Sequence, residues 1–368
     1  MASNATKTKS KFPTIPGTKP SVKNAQLLIS TGIPALDNII GGGLPIGSIF
    51  LIEEDKYGLY AKIIFKYFMA EGVVTSQPIL IASQDHQPSQ FMSELPAVIN
   101  DSECHTKTVD NGNEQMKIAW RYQNMKLVDS SPAEDHTFGH FYDLTKSMQP
   151  DLLEHADIKQ WHESNLQEQN NIFENTAYTD LLRTIQEILR DGQYFISDTP
   201  DKKRILRIAI HCLGSRLWLS DTETSSNHDL LKFLYCFRAL LRNSYAVGII
   251  TTPVNNFDNT DAFVERIEHI SDIAIRLESF AGSAKETNPL FKDYHGLLHI
   301  KKLPALNTLT PHCLEFRDLA FKLRRKKFII EVLHLPPEFE DTAQREQDEA
   351  IAPTIGCTSG SHKSILDF

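Results

Sequence analysis

A strand–loop–helix segment around residue 53 has the layout of a phosphate-binding P-loop. Residues 48–52 form an apolar run that predicts a buried strand, and apolar side chains recur at helical spacing from Tyr60 to Phe68. Between such a strand and helix, a P-loop places G-x-x-x-x-G-K-[ST]. Its glycines open backbone N–H groups to phosphate, its lysine neutralises charge, and its hydroxyl holds Mg²⁺.

The loop itself lacks nearly all of those groups. Only Gly58 is in register, while Leu59 stands at the lysine position and Tyr60 at the hydroxyl position. Three carboxylates line the place where polyphosphate would lie. We therefore predict a domain that has lost ATP chemistry of its own and that serves assembly or binding. The residues of this degenerate nucleotide loop are Glu53, Glu54, Asp55, Lys56, Gly58, Leu59 and Tyr60.

Other positions that would serve ATP hydrolysis leave alternatives open. The strand predicted at residues 205–210 ends in His211 and Cys212, where a P-loop ATPase has an aspartate that orders Mg²⁺. Asp85 is either a catalytic carboxylate or a loop or helix-capping carboxylate. Lys56 either reaches a phosphate bound at a subunit interface or is a solvated loop residue. Cys212 is either a thiol nucleophile or a buried structural cysteine, and its place at a strand end favours the structural role.

One pair of histidines has a spacing that metal sites use. His136 and His140 lie four residues apart, with Asp143 near them. Gly139 stands between them, and no other pair of ligands is spaced to complete a site. The sequence therefore predicts no metal and no cofactor.

The elements around the loop predict an α/β fold. Residues 30–48 read as a short helix begun by Pro34, stopped by three glycines and followed by a tight turn into the first core strand. Apolar strands then alternate with helices, which indicates βαβ units and a mostly parallel central sheet flanked by helices. The entry segment resembles that of RecA-like ATPase domains, so a RecA-like fold is expected.

The boundaries of this domain follow from composition. We predict a RecA-like domain over residues 25–335, with polar insertions near 93–115 and 149–174. Residues 1–24 are rich in Lys, Ser, Thr and Pro and predict a disordered arm. Residues 336–368 predict a disordered acidic tail.

Composition limits the class of protein. The 368 residues carry a net charge of -9, with 41% hydrophobic and 23% charged residues, as in an ordinary soluble globular protein. The acidity argues against nucleic-acid binding over the whole surface and leaves a local basic patch open. The five scattered cysteines predict a reduced intracellular compartment. No apolar run has transmembrane length, and no signal peptide is recognised.

Several segments identify a family. Residues 207–215, 240–247 and 117–122 resemble the Elongator complex protein 4 family, also called PAXNEB. The most specific match runs from Leu277 through Leu297 and includes Glu278-Ser279-Phe280-Ala281-Gly282-Ser283 and Asn288-Pro289-Leu290-Phe291. The resemblance covers roughly residues 26–335.

The resemblance implies a non-catalytic subunit of Elongator, the complex that modifies wobble uridines of transfer RNA. In that family, three RecA-like paralogues form a hetero-hexameric ring that engages transfer RNA. The modification chemistry belongs to a separate catalytic subunit. The implied partners are therefore two paralogous subunits, the catalytic subcomplex and transfer RNA, with no membrane, in the cytoplasm and also the nucleus.

Local clusters of cations are the candidates for RNA contact. Arg324, Arg325, Lys326 and Lys327 lie between two predicted strands, as at a hairpin tip, and Lys301 and Lys302 follow another strand. A charged turn that blocks sheet aggregation is an equally good interpretation. Arg216 beside Trp218 either meets a neighbouring subunit or stacks on a base, and we favour the interface.

Two other functions are weighed against this one. In the first, the chain is a RecA-like ATPase whose nucleotide site is completed by neighbouring ring subunits, and the composition of the degenerate loop argues against it. In the second, it is a recombinase or a circadian-type RecA homologue that acts on DNA. The absent lysine and the net acidity argue against that class.

Overall fold

The central element is a nine-stranded sheet that is parallel over six strands. A computed structural model describes residues 15–21, 24–99, 138–162, 173–219, 223–254, 257, 260–308, 312–314 and 316–334. Helices cover the sheet, so the predicted α/β class with a mostly parallel central sheet is confirmed. No helix in these ranges is long and apolar enough to cross a membrane.

The first half of the chain contributes the strands β1 to β8 and four helices. In chain order these are β1 (Thr18–Pro20), β2 (Leu27–Ile29), α1 (Pro34–Ile39), β3 (Leu44–Pro45), β4 (Ile49–Glu53), α2 (Leu59–Val74), β5 (Ile79–Ser83), α3 (Pro88–Ser93), β6 (Pro96–Val98), β7 (Tyr142–Ser147), α4 (Pro150–Glu154) and β8 (Ile158–Trp161).

The second half completes the sheet. Its elements are α5 (Thr176–Asp191), β9 (Leu206–His211), α6 (Glu223–Arg242), β10 (Ala246–Thr252), α7 (Thr260–Ile270), β11 (Ile273–Ser279), β12 (Gly296–Lys302), β13 (Leu319–Arg324) and β14 (Lys327–Val332). Short 3₁₀ turns lie at Arg216–Trp218 and Pro289–Phe291.

The strand order places the loops that follow β4, β5 and β9 at one edge of the sheet. The parallel strands run in the order β8-β5-β9-β10-β4-β11, and the antiparallel strands β12, β13 and β14 follow at one side. Every residue of β4, β5, β9 and β10 is buried, as expected of parallel strands covered on both faces. Carboxyl ends of parallel strands are where such folds bind ligands.

Two hydrophobic clusters hold the helices against the two faces of this sheet. On one face, α2 buries Phe65 and Phe68. On the other face, α6 packs Phe233 and Phe237. Gly248 of β10 permits this contact, because a Cβ atom there would lie 2.6 Å from the Phe237 ring. Helices therefore pack against both faces of the sheet.

Three parts of the predicted domain plan need correction. The predicted insertion at 149–174 contains β8, which pairs in parallel with β5 as the edge strand of the sheet. Its central residues Lys159 and Gln160 are exposed, and this polarity hid the strand. Within the predicted insertion near 93–115, residues 96–98 form β6, which pairs with β7. Residues 18–20 of the predicted arm form β1, which pairs with β2. Residues 1–14, 100–137 and 335–368 lie outside the described residues.

Candidate functional site

The loop between β4 and α2 keeps the turn of a P-loop at Gly58. This glycine has φ +65°, and its backbone N–H donates to the Asp55 carbonyl at 2.8 Å. A Cβ atom at Gly58 would lie 3.2 Å from a carboxylate oxygen of Glu54. Both the left-handed backbone and the tight space favour glycine at this position.

The Asp55 carboxylate fills the amino-terminal end of α2. One oxygen accepts from the backbone N–H of Leu59 at 3.2 Å, and the other accepts from those of Tyr60 at 2.9 Å and Ala61 at 3.2 Å. Backbone N–H groups at this position bind the phosphates of a nucleotide in working P-loops. The anion site is therefore occupied by a carboxylate of the chain itself.

Leu59 and Tyr60 supply none of the P-loop chemistry. The Leu59 side chain is 59% exposed and carries no charge. The Tyr60 ring packs on Phe321 of β13, with centroids 4.6 Å apart, and burial raises the pKa of its phenol. Tyr60 is thus a packing residue between α2 and the antiparallel strands, and it offers no hydroxyl to a metal at the loop.

Glu53 is a buried acid at the end of β4. The Arg276 Nε atom lies 3.9 Å from its Oε2 atom, so the contact is long for an ion pair. Burial, followed by the neighbouring Glu268 carboxyl, raises the pKa of Glu53 to about 8. Glu53 is therefore mainly protonated at neutral pH, and it adds little negative charge to the loop.

Glu54 turns toward the end of β9. The Cys212 thiol donates to its two oxygens at 3.2 and 3.4 Å. Burial raises the pKa of Glu54, and hydrogen bonds from Thr251 and Cys212 partly oppose this. Burial also raises the pKa of the Cys212 thiol, which argues against a thiolate nucleophile in this state.

His211 occupies the strand end where a P-loop ATPase has its magnesium aspartate. Its ring is buried beside Phe91, with centroids 4.8 Å apart, and its Nδ1 lies 3.4 Å from the Ser83 hydroxyl. Burial lowers the pKa of His211 to about 3, so the imidazole is neutral. Asp85 accepts a hydrogen bond from the Ser215 hydroxyl at 2.7 Å and does not cap α3, which supports the loop-carboxylate interpretation.

Lys56 projects into solvent beside the loop. Its Nζ atom lies 5.2 Å from the centroid of the Tyr57 ring, which is itself exposed. This placement fits a solvated lysine and also leaves the ammonium accessible to a neighbouring subunit. Contact with a phosphate at an interface stays a prediction.

The four-cation segment forms the turn between β13 and β14, so the predicted hairpin tip is confirmed as a structure. Two of its cations are engaged within the chain. Lys326 lies 3.2 Å from a carboxylate oxygen of Asp143, and Lys327 lies over the Phe141 ring at 5.2 Å. Arg324 and Arg325 are exposed and pair with no carboxylate among the described residues. These two arginines are the accessible part of the cluster.

Lys301 and Lys302 have partners of their own at the end of β12. The Lys302 ammonium donates to the carbonyls of His269 at 2.7 Å and Ser271 at 2.6 Å, at the carboxyl end of α7. Lys301 lies 3.5 Å from the Glu268 carboxylate. Lys302 is therefore a cation at a helix carboxyl end, where it satisfies free carbonyls. RNA contact by this pair stays a prediction, and the geometry favours the hairpin arginines.

The prediction for Trp218 is wrong, whereas Arg216 stays an interface candidate. Trp218 is fully buried, and its indole stacks on Trp161 with centroids 5.6 Å apart. A side chain in the core can neither meet a neighbour nor stack on a base. Arg216 begins the same 3₁₀ turn and is exposed. The sequence did not show that Trp161 belongs to the edge strand β8, which brings it against Trp218.

Exposed apolar side chains at the carboxyl edge were missed by sequence reasoning. Tyr57 and Leu59 follow β4, and Leu217 and Leu219 follow β9. All four are about half exposed or more. These exposed apolar residues lie at the same edge of the sheet as the degenerate nucleotide loop. Such exposure is typical of a surface that another protein covers. The available signal was the apolar residues in the segments that follow these two strands.

The two described members of the predicted histidine–aspartate set face different partners. His140 Nδ1 lies 3.1 Å from Glu71, and Asp143 accepts from Thr145 and pairs with Lys326. The third member, His136, lies outside the described residues. The structure brings a different set of ligand-type side chains together, namely Glu54, His211 and Cys212.

Comparisons with known proteins find similar sequences over nearly the whole chain. A family described as PAXNEB protein matches residues 11–368. The chain is 43% identical to Elongator complex protein 4 of Homo sapiens, over 96% of this chain and 89% of that protein. The Drosophila melanogaster protein of that name is 36% identical, over 96% and 97% of the two chains. The Saccharomyces cerevisiae protein of that name is 25% identical, over 91% and 79%.

Proposed function

This chain belongs to the PAXNEB family, and from that premise we propose that it is a non-catalytic, RNA-engaging subunit of an Elongator complex. In this proposal it joins two RecA-like paralogues in a hetero-hexameric ring that supports modification of transfer RNA wobble uridines. The catalytic subcomplex carries out the chemistry. The proposal includes action in the cytoplasm and also in the nucleus.

The observation that carries the non-catalytic role is the Asp55 carboxylate at the start of α2. A nucleotide phosphate would have to displace it and would then meet the exposed, uncharged Leu59. The last residue of β9 is His211 and not the aspartate that orders Mg²⁺ in a P-loop ATPase. Phosphoryl transfer depends on positioned cations around the phosphates, and the described loop offers none in register.

The exposed apolar residues support the assembly. RecA-like domains in a ring meet head to tail, so each subunit must offer two different faces to its neighbours. Exposed apolar side chains follow β4 and β9 at the carboxyl edge, namely Tyr57, Leu59, Leu217 and Leu219. Covering them with a neighbour removes apolar area from water, at about 25 cal/mol per Å².

The assembly is tested by reconstitution of the full chain with its two candidate paralogues. We expect a closed ring in sedimentation, and we expect the exposed-site variant Leu59→Glu to weaken it, because a charge would be buried at the interface. Leu59→Met keeps the apolar surface and is the matched control. A chain that stays monomeric in the mixture contradicts the proposal.

The same reconstitution decides between this function and an ATPase completed by neighbours. Calorimetry measures ATP and Mg²⁺ binding by the assembled ring. The measurement is repeated on rings in which the nucleotide loop of one subunit at a time is altered. Binding that persists when Lys56 of this chain is changed to Ala belongs to a partner subunit. Binding that is lost in that variant, with the ring intact, favours the ATPase.

A further inference from the structure

Three side chains of metal-ligand type converge at the carboxyl edge of the sheet. Glu54 follows β4, while His211 ends β9 and Cys212 follows it. One donor atom from each lies within 4.8 Å of the donor atoms of the other two. The closest contact is already short, since the Cys212 sulfur is 3.2 Å from a Glu54 oxygen.

The surrounding chain holds these groups in place. The backbone N–H of Cys212 donates to the Thr251 hydroxyl at 2.8 Å, which fixes the residue after the strand end. The imidazole of His211 has the Ser83 hydroxyl 3.4 Å from its Nδ1 atom. Outer hydrogen bonds of this kind orient metal ligands. Glu54 and His211 are buried and Cys212 is half-buried, so the cluster is partly accessible to solvent at Cys212.

The donor set selects the class of ion. Sulfur, imidazole nitrogen and carboxylate oxygen together are ligands for Zn²⁺, whereas Mg²⁺ requires oxygen atoms. Tetrahedral Zn²⁺ with bonds of about 2.0–2.3 Å separates its ligand atoms by about 3.5 Å. The donor atoms therefore need to approach one another by at most about 1.3 Å, which side-chain rotation supplies.

We propose that Glu54, His211 and Cys212 bind one Zn²⁺ ion, with the fourth position open to water or to a group from outside the chain. Binding replaces the thiol proton of Cys212, which is released to solvent. The ion links the ends of β4 and β9 across β10, beside the loop that Asp55 has closed to phosphate. This metal site is separate from the proposed function. Neither the assembly of the ring nor its binding of RNA depends on it.

The test uses the full-length chain, freed of metal with a chelator and dialysed. We expect about one equivalent of Zn²⁺ to bind in a competition titration against a chromophoric chelator. Added Co²⁺ is expected to give a thiolate-to-cobalt charge-transfer band. Cys212→Ser should abolish the band and weaken Zn²⁺ binding by more than about 10–100-fold. Cys236→Ser, which alters an exposed cysteine on α6, is the matched control and should keep both.

A second variant distinguishes loss of a zinc ligand from loss of the fold. Glu54→Gln keeps the size of the side chain, and we expect weaker Zn²⁺ binding with the charge-transfer band retained. Circular dichroism of each metal-free variant shows whether it is folded. Wild-type protein without a thiolate band overturns the proposal, and so does Zn²⁺ binding that is unchanged in a folded Cys212→Ser variant.

Discussion

Asp55 accepts a hydrogen bond from the backbone N–H of Tyr60 at 2.9 Å, so a side chain of this protein occupies the site of a nucleotide phosphate. The bond is the shortest of three that this carboxylate accepts at the start of α2. A negative charge there is favourable because the helix dipole and free N–H groups point at it. The loop has thus kept its anion site and filled it.

The isolated chain is expected not to bind ATP and Mg²⁺ with micromolar affinity. The exposed-site variant Leu59→Lys should restore little, because the added cation leaves Asp55 in the anion site. The double variant Leu59→Lys with Asp55→Gly removes that competitor and should bind ATP more tightly than either single variant. Calorimetry on the purified chain checks this, and micromolar binding by the wild-type monomer contradicts it.

Removal of the Asp55 carboxylate is expected to destabilise the fold. Asp55→Ala leaves three backbone N–H groups without their acceptor, and the expected loss is about 0.5–2 kcal/mol of the free energy of unfolding. The neighbouring exposed variant Lys56→Ala should change that free energy by less than about 0.5 kcal/mol. Urea unfolding of both variants measures the difference. Equal stabilities would show that the carboxylate is not a cap.

The local sequence pattern was sufficient to predict the central parallel strands and insufficient to predict the edge strand. The strands β4, β9 and β10 are buried along their whole length and mainly apolar, because helices cover both of their faces. β8 lies at the edge and exposes Lys159 and Gln160, so its composition is that of a loop. Without β8, the burial of Trp218 against Trp161 could not be foreseen.

Those parts of the site whose residues are close together in the sequence could be predicted from it. The loss of the P-loop lysine and hydroxyl is visible in residues 53–60. The contact of Glu54 with Cys212 joins residues 158 positions apart, and only the parallel order of the strands brings them together. The role of Lys302 at the end of α7 depends on the pairing of β12 with β11, which follows that helix, and spacing alone does not show this pairing.

Stability is expected to fall with rising pH through the titration of Glu53. Its pKa in the folded chain is about 8, above its ordinary value of 4.5, so the folded state holds this proton more tightly than the unfolded state. The free energy of unfolding therefore decreases between about pH 5 and pH 8. One pKa unit corresponds to about 1.4 kcal/mol, and we expect a loss of about 2–4 kcal/mol.

The variant Glu53→Gln isolates this contribution, because the amide has the same shape and does not titrate in this range. We expect its thermal midpoint to be less sensitive to pH between 5 and 8 than that of the wild type. Glu187→Gln, at an exposed position on α5, is the control and should follow the wild type. A Glu53→Gln profile parallel to that of the wild type would show that Glu53 does not carry the dependence.

Lys302 is expected to matter for stability and not for RNA binding. Lys302→Met keeps much of the stem but removes the donor to the carbonyls of His269 and Ser271, and a loss of about 1–2 kcal/mol is expected. Lys301→Met breaks only the partly exposed pair with Glu268 and should cost about 1 kcal/mol or less. Urea unfolding and transfer RNA binding are measured on both. If a ring that contains Lys302→Met is stable but binds transfer RNA more weakly, Lys302 contributes to RNA binding and the prediction is wrong.

Transfer RNA binding by the assembled ring is expected to depend on Arg324 and Arg325. They are the exposed cations of the β13–β14 turn, whereas Lys326 is held by Asp143 and Lys327 lies over Phe141. In a chain with net charge -9, phosphate can be held only where cations are locally concentrated. Each phosphate contact contributes about 0.7–0.9 to the slope of log affinity against log salt.

The double variant Arg324→Ala with Arg325→Ala should therefore lower that slope by up to about 1.4–1.8 and weaken binding most at low salt. The charge-preserving variant Arg324→Lys with Arg325→Lys is the matched control and should keep most of the slope. Ring assembly, followed by sedimentation, is expected to be unaffected, because the turn lies in the antiparallel strands at one side of the sheet. An unchanged slope in the alanine variant, with the ring intact, would mean that the turn is a solvated hairpin and that the RNA phosphates are bound elsewhere on the ring.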